Sequence, residues 1–95
     1  MNDLSSRQWR LDTPTPFGTA GFLLWPGNVF VKQAEFEDYA AQGNTAILKD
    51  RNGKIVWQPT GAGDLSPVRL GDIGWVEGLG LDTLTGGGMV VLYIK

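Results

Sequence analysis

Fourteen glycines and five prolines are spread through the 95 residues as separators between short apolar runs, not gathered into one block. Average glycine usage is only about 7 per cent. Gly and Pro at such spacing interrupt a helix every few residues but suit the turns between short strands. The four Trp, four Phe and two Tyr add side chains that pack well on a pleated surface.

The runs between these separators carry the strand signal. Residues 7–12 (RQWRLD) place Trp9 and Leu11 on one face and Gln8, Arg10 and Asp12 on the other, which predicts a first strand. The stretch TPTPFG follows, and Pro14 and Pro16 remove two backbone donors, so it reads as a linker or edge segment. Residues 19–25 (TAGFLLW) form a second apolar run, a strand or a buried connection, stopped by the turn dipeptide Pro26-Gly27. Residues 28–38 (NVFVKQAEFED) alternate, with Phe30, Lys32, Ala34 and Phe36 on one side and Val29, Val31, Gln33, Glu35 and Glu37 on the other. Residues 35–42 are where a helical turn competes, with Gly43 as its stop. Residues 45–50 and 54–59, joined through Arg51-Asn52-Gly53, predict a hairpin, because Asn and Gly both tolerate positive φ. Pro67 marks 66–70 as an edge strand. In 73–84, Gly74, Gly78 and Gly80 suggest bulges or close backbone approach. After Gly86-Gly87-Gly88, the run MVVLYIK predicts a buried final strand. The fold class expected is all-β: a small antiparallel β-sandwich, jelly-roll or Ig-like, of seven or eight short strands in a single domain over residues 1–95.

Composition narrows the chemistry. The chain has no His and no Cys, so Ser-His and Cys-His catalysis, disulfides and thiolate metal sites are excluded. A small core without such reinforcement raises the expectation of a homo-oligomer. Eight basic and ten acidic side chains give a formal charge of −2, and the basic residues are scattered, so no nucleic-acid footprint is expected. MNDLSSRQWRLD has neither the positive nor the apolar segment of a secretory signal, and no apolar run approaches the ~20 residues that span a bilayer. No membrane partner is expected. Asp50-Arg51-Asn52-Gly53 has the opening of a calcium loop but lacks the later ligands, and neither glycine cluster ends in Gly-Lys-Ser/Thr. No cofactor or metal is expected. A carboxylate-only hydrolase needs two acids facing each other, against the ordinary role of acids in turns and on solvated strands.

The candidates for a functional surface are therefore apolar. Trp9, Trp57 and Trp75 lie in strand patterns that assign them to the core, whereas Trp25 precedes Pro-Gly at a turn and reads as an exposed anchor. Residues 13–28 are the expected partner-contacting connection, with Pro14, Pro16, Phe17, Phe22, Leu24 and Trp25 as its contact residues. The competing reading is a long loop wrapped over its own core.

Residues 8–13 (QWRLDT), 46–57 (AILKDRNGKIVW), 64–67 (DLSP) and 78–94 (GLGLDTLTGGGMVVLYI) resemble small uncharacterised structural proteins of tailed bacteriophages. The shared order is a W-x-L-D-T opening, a K-D-x-N-G-x-x-x-W hairpin, an S-P edge strand and a closing G-G-x-x-x-x-Y-I strand. The resemblance spans about two thirds of the chain, and residues 19–42 depart from it. It implies a non-enzymatic virion component assembled in the host cytoplasm: a capsid decoration or cement protein bound to the outside of the phage major capsid protein lattice, or a part of the neck or tail. The alternative expectation is a carbohydrate-binding module, which requires aromatic rings presented on one exposed face.

Overall fold

A computed structural model describes the whole chain, Met1 to Lys95, and contains six strands and no helix. They are β1 (Gln8–Leu11), β2 (Trp25–Glu37), β3 (Ala46–Lys49), β4 (Ile55–Trp57), β5 (Val68–Leu84) and β6 (Met89–Ile94). All pair antiparallel in one connected sheet of order β1-β6-β2-β5-β3-β4. The expected all-β, antiparallel class is what forms. The strand number is six because the two runs 66–70 and 73–84 join into one 17-residue strand, β5. Asp72 and Gly74, at φ 57° and 87°, accommodate the irregularity there without ending the ladder. The apolar run 19–25 contributes a strand residue only at Trp25; before it the chain turns twice.

β5 is the pivot of the architecture. From Val68 to Leu79 it pairs with β2, and from Gly80 to Leu84 it pairs with β3. Beyond the end of β2, the edge that β3 leaves free is taken by the connection after β1: Leu24 N–H donates to Leu79 O at 2.9 Å and Thr15 N–H to Leu81 O at 2.8 Å. One core cluster accordingly reaches from Trp9 and Leu11 on β1 to Ala46 and Leu48 on β3, with Val31, Phe36, Leu79, Leu81, Val90 and Leu92 between them. Strands four places apart in sheet order share that core only because the sheet bends around it.

A bulge in β2 corrects the predicted alternation. Val29 and Val31 are buried, and so are Ala34 and Phe36, a change of phase that regular period two forbids. The register supplies the reason. Val31 pairs with Ile94 and Gln33 with Tyr93, so β2 carries one extra residue against β6 at this point. Lys32 is therefore exposed, and both halves of β2 turn their apolar residues inward.

The remaining turns follow from particular residues. Gly53 closes the β3–β4 hairpin at φ 81°, and a Cβ there would meet the Phe17 ring at 2.7 Å. The helical turn that competed over 35–42 does not form. β2 continues to Glu37, Asp38 turns the chain at φ 59°, and Tyr39 enters the core stacked on Phe36 with centroids 4.7 Å apart. The Tyr39 hydroxyl donates to Ser66 O and accepts from Ala62 N–H at 2.9 Å, fixing the glycine-rich loop to the body.

Candidate functional site

The connection between β1 and β2 is an arm laid along the outside of β5. Besides the backbone bonds from Thr15 and Leu24, Phe17 N–H donates to Asp82 Oδ1 at 2.6 Å, and Lys49 Nζ approaches the same oxygen at 3.5 Å. That backbone donor is the main reason the Asp82 carboxyl is held below its usual range. Two turns, Thr19 N–H to Pro16 O and Phe22 N–H to Thr19 O, both 3.1 Å, form the exposed tip.

The six residues expected to contact a partner divide between surface and core. Pro14 and Pro16 are exposed, Phe17 is 44% exposed and Trp25 41% exposed. Leu24 is half-buried, and Phe22 is buried. Phe22 is thus a correction: its ring lies over Gly80, where a Cβ would come within 2.6 Å, and it meets Phe17 edge-on at 5.3 Å. It is the anchor that holds the arm, while Phe17 and the exposed Leu23 are what the arm presents. The segment is thus wrapped on β5 through Phe22 and leaves Phe17 and Leu23 exposed.

Trp25 belongs to a second feature that the arm reading missed. A cleft of about 480 Å³ opens where the N-terminal residues Leu4 to Arg7, the start of β2, Trp75 and the end of β6 converge. Trp9 and Trp25 form one wall, tilted 45° with centroids 5.3 Å apart; Phe30 and Trp75 form the other, edge to face at 5.4 Å. Val29 and Ile94 complete the apolar lining. The cleft size lies within the range of small-molecule sites, roughly 300 to 1,000 Å³. Two cationic residues flank it. Lys95 Nζ stands 5.1 Å from the Phe30 ring centroid, within cation–π range, and Arg7 is tied in place by its carbonyl, which accepts from Ile94 N–H at 2.7 Å.

Trp75 is the second correction. The strand pattern assigned it to the core, yet it is 72% exposed. Val76, its neighbour, takes the inward position instead, and Glu77 shares Trp75's outward phase and is exposed. That Trp-x-Glu spacing was the available signal. Trp9 is buried as expected, and Trp57 is half-buried against the core.

Among the carboxylates, Glu35 and Glu37 stand side by side on the face of β2 opposite Ala34 and Phe36. Arg69 Nε donates to Glu35 Oε2 at 2.7 Å. Glu37 is pushed up to about 7, first by the proton it shares with Glu35, then by burial and the neighbouring charge. Glu35 is held down by the same hydrogen bond and then by Arg69. The pair is adjacent on one strand and lines none of the clefts; Asp50 and Glu77 both line the cleft beside the β3–β4 hairpin.

No protein-family model, curated protein or solved structure matches the chain.

Proposed function

We propose that this protein is a non-enzymatic virion structural protein, a capsid decoration or cement protein that docks on the major capsid protein lattice of a tailed phage through the arm between β1 and β2. The phage setting rests on the resemblance of the β1, hairpin and β5–β6 segments. The observation that carries docking is the arm itself: it is clamped to β5 by backbone bonds and by Phe22, yet presents Phe17 and Leu23, 44% and 37% exposed, beside Pro14 and Pro16. Such preorganisation leaves little ordering entropy to lose on binding. Several copies arranged around a symmetry axis convert modest contacts into firm attachment.

Limited chymotrypsin digestion tests the docking surface. In the free protein, cleavage is expected first after Phe17 and Leu23, and in the assembled particle both sites are expected to be protected. Equal cleavage in the two states would contradict docking through the arm.

A second reading, carbohydrate binding, is favoured by Trp25 and Trp75, which are both exposed at one cleft. It uses a different surface: the cleft and the hollow at the arm's tip share no lining residue.

A further inference from the structure

We infer that the tryptophan-walled cleft binds an acidic sugar, a pyranose bearing a carboxylate, with Trp25 and Trp75 stacking on the ring and Arg7 and Lys95 receiving the charge. This rests on the carbohydrate-binding reading and specifies its ligand. Three observations converge on it.

The first is the charge of the lining. The chain carries more acidic than basic side chains, ten against eight, yet none of the ten acids lines this cleft and two of the bases do. An anionic ligand entering it meets favourable charge from Arg7 and Lys95, both exposed and therefore sensitive to salt.

The second is the form of the walls. Trp9 and Trp25 are tilted by 45° and Phe30 and Trp75 stand at 83°, each pair already in contact at 5.3 to 5.4 Å. Neither pair leaves the parallel slot that sandwiches a flat nucleobase. Single exposed indole faces suit the C–H face of a pyranose.

The third is how the cations are held. Lys95 N–H donates to Phe30 O at 3.0 Å and Arg7 O accepts from Ile94 N–H, so backbone bonds just beyond the strand ends fix both backbones at the cleft. Asn28, also in the lining, supplies amide donor and acceptor groups for ring hydroxyls.

The test is a tryptophan-fluorescence titration of the full-length chain with a trimer of galacturonic acid, with the neutral galactose trimer of the same linkage, and with a short single-stranded DNA. The acidic trimer is expected to shift the emission and to bind about tenfold more tightly than the neutral one, a preference that declines with added salt. Trp75→Ala is expected to weaken binding roughly tenfold or more, and Arg7→Gln with Lys95→Gln to abolish the acidic preference while neutral binding persists. Trp75 is 72% exposed, so its variant keeps the fold, checked by circular dichroism. Equal binding of both trimers would overturn the acidic assignment and leave the carbohydrate reading standing. Response to neither trimer, with or without a response to DNA, would overturn both.

Discussion

Lys32 sits where the apolar face of β2 changes phase. From period two alone Phe36 falls on the same side as Lys32 and opposite Val31. The bulge against β6 reverses that arrangement, and it falls at the consecutive polar residues Lys32 and Gln33, which separate Val29 and Val31 from Ala34 and Phe36. Phe36, wholly buried within the core, should lose about 3 to 5 kcal/mol of stability on replacement by Ala, measurable by urea denaturation. Glu37 is invisible to sequence, because its raised value depends on Glu35 beside it and on partial burial. A carboxyl whose folded value lies near 7, above its ordinary 4.5, favours folding at acid pH and withdraws that contribution as pH rises through about 7. Glu35 acts in the opposite sense, and its contribution disappears only below its ordinary range. Stability should therefore fall between pH 5 and 8 by something on the order of 1 kcal/mol after solvent screening. Glu37→Gln should flatten that dependence, and thermal melts at the two pH values check it; an unchanged slope in the variant would contradict the shared proton.

At the scale of elements, the hairpin and the final strand were legible because their signals are local. Asn52-Gly53 between two apolar runs needs one turn type, and the continuous run of β6 needs burial on both faces. Val90, Val91 and Leu92, on alternate faces of β6, are all buried, and its two edges are bonded to β1 and β2. Removing residues 91–95 would strip β1 of its only partner strand and open one side of β2, and the product is expected to show no cooperative thermal transition. The arm was half legible: its apolar content and prolines stood out, but Phe22 and Phe17 could not be told apart without Gly80, which accepts the Phe22 ring where any side chain would exclude it. Gly80→Ala should therefore displace the arm, and Asp82→Ala should loosen it by removing the acceptor of Phe17 N–H. Both variants are expected to raise the chymotrypsin cleavage rate of the free protein at Phe17 and Leu23, with the larger loss of thermal stability in Gly80→Ala.

For the whole molecule, six strands enclose one core because β5 is long enough to serve two neighbours in succession. The Cα radius of gyration, 12.1 Å, agrees with the roughly 12 Å expected of a 95-residue globule. The edges of the sheet are modest. β4 has three residues, and the outer side of β1 is bridged at Arg10 by Asp3, which disfavours edge-to-edge growth. Association is thus expected through side-chain surfaces, the arm above all, and not through strand addition. The proposed place of this chain on a phage capsid is tested by quantitative mass spectrometry of purified particles from the source. A capsid-decorating subunit is expected at a copy number equal to that of the major capsid protein or a simple fraction of it. About six to a dozen copies would point instead to a ring in the neck or tail, and absence from the particle would contradict the proposal.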